Sequence, residues 1–488
     1  MKLARRKVLK LGAASLAAAA LAGCGNWERK FIAGSLPANA LPPASARTTS
    51  PAVRLLNRAA FGPGPGDVAM VTAMGLAAYV DQQLHPEKID EPRKITWGVR
   101  RLGDSLDADA GLLFDQDDRR IVESLREATL LRAVYSKRQL FERTVAFWSD
   151  HFNIYVYKGQ GAQFKVLDDK NTIRPHAFGR FRDLLGASAR SAAMLGYLDN
   201  TVNVRGLPNE NYAREVMELH TLGVNGGYTQ RDVQELARCL TGWTVQRHWH
   251  RGQFTFDSGQ HDNGAKHVLG LTIAAGGGVS DAERVLDHLA SHPATARHLS
   301  TKLCNYFLGE APEHLVRELS GIYLQTNGDI RSVLRPLLLS PDMLTAPPIL
   351  KRPFDYLASA CRAFNVDTDG GPAVQKHLDS MGQSLFAWPR PDGFPQGTHA
   401  WSGALLPRWN FALGLTKDAI SGTSIDWTEL GAIGPKAGKS APDGLLEMAF
   451  GCSANDPQLA ALRKGNIGGT DLREYAGYLI MSPHFQWK

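Results

Sequence analysis

The sequence predicts a mainly α protein, a large helical body with a small irregular or hairpin insertion around residues 245–271. Three observations predict it. Apolar residues recur at three- and four-residue spacing through most of the chain after Ser50. Helix-starting and helix-stopping residues bracket those stretches. Few segments alternate with period two, and the best of them lie between Val245 and Leu271. The 488 residues are 43% hydrophobic and 21% charged. That balance supports a large core without disulfide staples and excludes a fibrous or wholly disordered chain.

Residues 1–23 read as an export signal. A basic start ends at Lys10, and an apolar run from Leu11 to Ala22 follows. The run is too short for a stable membrane span. Arg5-Arg6-Lys7-Val8-Leu9-Lys10 is twin-arginine-like, with an ordinary secretory signal as the alternative. Leu21-Ala22-Gly23-Cys24 has the form of a bacterial lipobox. Acyl chains on Cys24 would hold the protein to a membrane at ~0.8 kcal/mol per buried methylene. Gly25-Asn26 lacks the aspartate of inner-membrane retention, so the expected address is the periplasm or the outer membrane. Residues 24–51, rich in Ala, Pro, Ser and Thr, read as a flexible tether.

The body, 52–488, then reads element by element. Ser50-Pro51 looks like an N-cap followed by a first-turn proline. Gly62-Pro63-Gly64-Pro65-Gly66 breaks the first helix, and a second runs from about Asp67 to Leu84. Periodicity is strong from Arg119 to Trp148, read as one long helix. Ser280-Asp281-Ala282-Glu283 reads as a capping box. His292-Pro293 opens a helix through Phe307, and Asp329–Leu339 and Pro353–Phe364 add two more. The body is read as one core, with a subdivision expected, if anywhere, near 270–280.

The formal charge of +7 invites a nucleic-acid partner. Five of those charges sit in residues 1–23, and without them only +2 remains. No basic field for a polyanion is left, so no nucleic acid is expected. Cys239, Cys304, Cys361 and Cys452 permit bridges but equally suit buried thiols.

The chemistry concentrates where ten of the fifteen histidines fall, between His151 and His298. Asn209 to His220 is the densest polar segment and reads as a helix ending at Gly223. Tyr212, Val216 and Leu219 give it an apolar stripe. Glu215 and Glu218, three apart, share one side. With His220 and with His151 from the Phe147–Phe152 segment they could ligate a divalent metal, or act as an acid–base pair. The bland reading is an Arg214–Glu218 surface pair with His220 on the helix dipole. His261-Asp262, with Lys266 close behind, could complete the site from the insertion; a turn held by Asp262 is the alternative. The candidate catalytic set is therefore Glu215, Glu218, His220, His261 and Asp262. The candidate metal set is Glu215, Glu218, His151 and His220. His288 and His292, four apart, are a weaker zinc pair lacking a third ligand. Haem-attachment, nucleophile-elbow and phosphate-loop motifs are absent from the sequence.

These residues carry a resemblance. Leu55–Pro63, Phe147-Trp148 through His151-Phe152, Ile173–Ala177 and Met194–Asn200 are landmarks. So are Asn209–Gly242, His261-Asp262, Lys351–Phe354, Trp388–Gly393 and Arg408–Phe411. Over about residues 52–486 the chain resembles the bacterial domain-of-unknown-function 1800 family. One departure is Ser149-Asp150, where the family commonly has His-Asn, which weighs against a metal role for that corner. The resemblance implies an exported protein working beside another exported protein, and supplies no reaction.

Two functions are expected. One is an enzyme acting on a cell-surface or periplasmic polymer through a Glu/His/Asp pocket, with a divalent metal as its candidate cofactor. Trp243, Trp388, Trp401 and Trp409 could line a sugar cleft there, with core packing as their alternative. The other is a non-catalytic scaffold, anchored to the membrane through Cys24 and holding another exported protein.

Overall fold

The computed structural model describes residues 50–246, 252–464 and 471–488. The expected export signal (1–23), Cys24 and the expected tether up to residue 49 lie outside the described residues.

The chain is mainly α, and its helices begin where local chemistry starts them. Ser50 Oγ accepts from Val53 N, with Pro51 in the first turn of α1 (Pro51–Ala59). The second predicted helix is two. α2 (Asp67–Met74) and α3 (Leu76–Gln83) meet at Gly75, whose φ of 87° ends one and turns the chain into the other. The long helix expected from Arg119 to Trp148 is likewise divided. α4 (Asp118–Tyr135) stops at extended Ser136, and α5 (Gln139–His151) starts three residues later. Unbroken apolar periodicity hid both breaks.

The next polar segment begins as α6 (Glu210–Glu215) and continues as a π turn over Val216–Thr221. Leu222 N bonds to Met217 O, and the Thr221 hydroxyl bonds to Val216 O. Gly223 at φ 79° closes the helix. α7 (Gln230–Cys239) carries the capping box made by Thr229 and Asp232. The insertion forms two small antiparallel hairpins: β1 (Trp243–Val245) with β2 (Phe254–Phe256), and β3 (Lys266–Val268) with β4 (Leu271–Ile273).

α8 (Ser280–Ala290) lacks the capping box read from its sequence. Ser280 Oγ bonds to Gly277 O, Asp281 is buried in an ion pair, and Glu283 is drawn off by Arg182 and Arg190. α9 (Pro293–Leu308) starts as predicted, with His292 Nδ1 accepting from Ala294 N. α10 (Ile330–Leu339) and α11 (Pro353–Ala363) also fall where expected. Among the described residues no helix is long and apolar enough to cross a membrane.

The core has no break near 270–280, since Val268, Ile273 and Ala282 belong to one apolar cluster reaching from Ala52 to Ala346. A second cluster holds Phe354 to Phe485, joined by Leu130, Ala133 and Val134 of α4. Polar ties cross between them. Asp355 accepts from Arg143 and, at 2.5 Å, from Lys488. Arg362 reaches Gly62 O, Val134 O and Asp67 at 2.7–2.9 Å. Arg352 reaches Asp150 at 2.7 Å. Such buried pairs fix how two bodies seat more than they add net stability. Cys239, Cys304, Cys361 and Cys452 are free thiols.

Candidate functional site

A helix end leaves its last carbonyls unpaired. In the helix that ends at Gly223 these are the carbonyls of Leu219 and His220, and two imidazoles from other helices take them. His151, last residue of α5, brings Nε2 to 3.1 Å from His220 O. His298 on α9 brings Nε2 to 3.1 Å from Leu219 O. A carbonyl only accepts, so the proton of each ring lies on Nε2. The three rings cluster, His151 lying 6.0 Å from His220 and 6.4 Å from His298 between centroids. Phe147, Trp148 and Phe152 pack around His151. Burial pushes His220 down to about 3 and His298 to about 4, with the Lys302 ammonium adding to both. His151 is driven well below its ordinary value by the same causes. All three rings are neutral at pH 7.

This cluster is not the predicted metal set. His220 is 1% exposed, whereas Glu215 and Glu218 stay at the half-buried edge of the same helix. The π turn carries Met217 and His220 into the core and leaves the carboxylates outside it. His151 has spent Nε2 on a carbonyl. Glu218 accepts from the Tyr228 hydroxyl at 3.1 Å, and Arg214 pairs with Glu210 rather than with Glu218. Among the described residues no group of three or more His, Cys, Asp or Glu side chains is arranged to hold a metal ion. The residues present therefore do not fit the divalent metal expected from sequence.

The carboxylates instead form an acidic edge. Glu215 accepts no hydrogen bond from a described residue, and burial, Glu218 and Asp392 together push its carboxyl above the usual range. Asp392 sits on the loop Trp388–Phe394, where it accepts from Trp388 Nε1 at 3.3 Å and from Arg390 at 2.6 Å. That loop is pinned beside His151. Asn153 Nδ2 donates to the carbonyls of Trp388 and Arg390, and Tyr197 donates to Pro389 O at 2.7 Å. Gly393, at φ 76°, lies so close that a Cβ would overlap Asp150 O. Lys302, one turn after His298, faces the same region. Burial pushes its ammonium down to about 8, against the pull of Asp150 and Asp392. A raised carboxyl and a lowered ammonium around one edge are the pattern of proton-transfer chemistry.

His261 and Asp262 do not join this edge. His261 donates through Nδ1 to Thr241 O at 2.8 Å, and its Nε2 lies 3.1 Å from Asp281 Oδ2. Lys266 donates to the same Asp281 oxygen at 2.5 Å. All three side chains are at most 1% exposed. Asp262 holds a turn through Gly264 N and pairs with Arg238 at 2.7 Å. Arg238 and burial of the ion-paired trio close this group on itself, so the single convergent pocket expected from sequence is not formed. His288 and His292 meet only as edge-to-face rings. Trp243 and Trp401 are core residues, Trp388 borders Asp392, and Trp409 is 39% exposed.

Sequence reading missed His298, Lys302, Asp392, Tyr197 and Tyr228. His298 and Lys302 stand four apart on α9, a spacing that signals one helix face. Asp392 lay inside the quoted Trp388–Gly393 motif. The π turn has no local signature.

A family model described as "Protein of unknown function (DUF1800)" matches residues 54–487. The chain belongs to that family. The match spans both apolar cores, so the acidic edge and the imidazole cluster lie within the family's extent. No curated protein and no solved structure matches the chain.

Proposed function

We propose that this protein is an exported, membrane-anchored enzyme that cleaves glycosidic bonds in a polymer of the cell envelope. The observation that carries the reading is the half-buried Glu215 carboxyl, unbonded, with its affinity for a proton raised beside two further carboxylates. Cleavage of a glycosidic bond needs such a pair. One carboxylic acid protonates the departing oxygen, and one carboxylate activates water or attacks the sugar. Glu215 supplies the acid and Asp392 the partner, with Lys302 placed to hold the partner's charge. Tyr197, Tyr228 and Trp388 border the edge with the flat apolar faces that sugar rings stack on. Export through residues 1–23 and lipid on Cys24 would place the enzyme where such polymers lie.

The test is release of reducing ends from isolated envelope polysaccharide by the purified chain. Wild type is expected to release them, and Glu215→Gln is expected to lose at least 100-fold in rate with an unchanged circular dichroism spectrum. Equal rates for the two would overturn the reading. An inert wild type whose cellular phenotype survives the substitution would support a scaffold for another exported protein.

A further inference from the structure

Two open clefts flank residues 154–162, and the acidic edge accounts for neither. One, of about 560 Å³, lies between residues 154–164, residues 193–201 and the end of β1. The other, of about 680 Å³, lies between α4, residues 156–162 and residues 372–379. Gly159, at φ 56°, belongs to both walls, and a Cβ there would meet no atom within 4 Å. Space is therefore open where the two clefts meet. The first cleft also reaches the acidic edge. Tyr197, in its wall, donates to Pro389 O, and burial, then the charges of Glu215 and Asp392, push its hydroxyl up. Asp199, in the same wall, accepts at 3.2 Å from Asn211, one turn before Glu215 on α6.

The walls favour one kind of occupant. Tyr155 lines the first cleft and Tyr157 the second, with ring centroids 5.5 Å apart. Tyr157 is 58% exposed, yet its hydroxyl is held. Arg126, 9% exposed, donates to it at 3.2 Å and to Leu385 O at 3.0 Å. An aromatic face fixed in place and left uncovered loses little freedom when a flat ligand face lies on it. Charge in the walls is mixed, with four cations and five carboxylates across the two clefts. Lys158 pairs with Asp199 at 2.8 Å, and Arg119 with Glu123 at 2.8 Å. Neither sign prevails, so a polyanion and a polycation would each meet like charges there. Hydroxyl groups both donate and accept, and suit walls that offer both.

We propose that the two clefts form one groove, which holds an uncharged glycan strand running from the acidic edge, past Tyr155, to Tyr157. The assignment rests on the glycosidase reading, and it makes that enzyme's substrate a long neutral strand rather than a short or charged sugar. Such a strand supplies sugar faces for both rings and hydroxyls for the paired charges along its length. Units bound away from the cut position the scissile bond at Glu215.

The experiment uses the Glu215→Gln chain, which can hold a strand without cutting it. The probes are neutral oligosaccharides prepared from isolated envelope polysaccharide, as a disaccharide pool and an octasaccharide pool, followed by calorimetry. The octasaccharides are expected to bind with one site per chain, and the disaccharides about 10-fold more weakly. Adding Tyr157→Ala is expected to weaken the octasaccharides about 10-fold and to leave the disaccharides unchanged. Tyr157→Phe keeps the ring and is expected to bind as the parent does. Polygalacturonate, polylysine and a Gly-Ser polypeptide are expected not to bind. Absence of octasaccharide binding, equal affinity for the two lengths, or equal affinity for a charged polymer or the polypeptide would each overturn the proposal. So would undiminished binding with Tyr157→Ala, or an equal loss with Tyr157→Phe. Binding that depends on length and on Tyr157, in a protein whose wild type releases no reducing ends, would keep the groove and remove the glycosidase reading. Release of reducing ends without such binding would do the reverse.

Discussion

The Nε2–H of His151 donates to the backbone carbonyl of His220 at 3.1 Å, across 69 residues of sequence. One side chain thereby satisfies a carbonyl at the end of another helix, which Gly223 closes at φ 79°. Glu218 of the acidic edge lies in the same π turn as His220.

His151→Phe keeps the packing against Phe147 and Trp148 and removes the donor. It leaves the His220 carbonyl buried without its partner, a loss of about 1–3 kcal/mol. Urea unfolding at pH 7 measures it. An unchanged midpoint would mean that the carbonyl finds another donor.

The imidazole cluster makes stability depend on pH with a definite sign. His220 and His298 stay neutral in the fold down to about 3 and about 4, and regain the ordinary value of 6.5 when unfolded. Between those limits the unfolded chain binds more protons, so stability falls as pH drops from about 6.5 towards 4. Each ring contributes up to about 1.4 kcal/mol per pH unit. His298→Gln is expected to flatten the slope by about one ring's share, measured as unfolding free energy at pH 7, 6 and 5.

Asp281→Asn removes the carboxylate from a fully buried group and strands the Lys266 ammonium beside His261. A loss of about 3–5 kcal/mol is expected. Adding Lys266→Met should recover part of it. Thermal unfolding of the single and double variants checks both statements.

If Cys24 is lipidated as proposed, Cys24→Ala is expected to shift the protein from membranes into the soluble fraction, because acyl chains would supply the anchor. Fractionation of cells expressing each form decides it. Persistent membrane association of the variant would remove the lipid anchor from the account.

Helix by helix, much of the body could be read in advance. Ser50-Pro51 and His292-Pro293 start helices through bonds local to a few residues, and the structure has both. The failures share a cause. Gly75 and Ser136 interrupt apolar patterns that continue on both sides, so periodicity alone runs through them. At Ser280–Glu283 the cap is lost because distant charges, Lys266, Arg182 and Arg190, claim the acids first.

The chain's local order thus settled the mainly α class, the hairpin insertion and the family, since caps, turn glycines and motif residues act over a few positions. Which polar groups meet was decided only by the folded body. His151 turned to a carbonyl, His261 was sealed with Asp281, and Glu215 came under the charge of Asp392 from another stretch of chain. Those outcomes depend on how helices far apart in sequence pack, because a buried charge takes whichever partner the packing brings within reach.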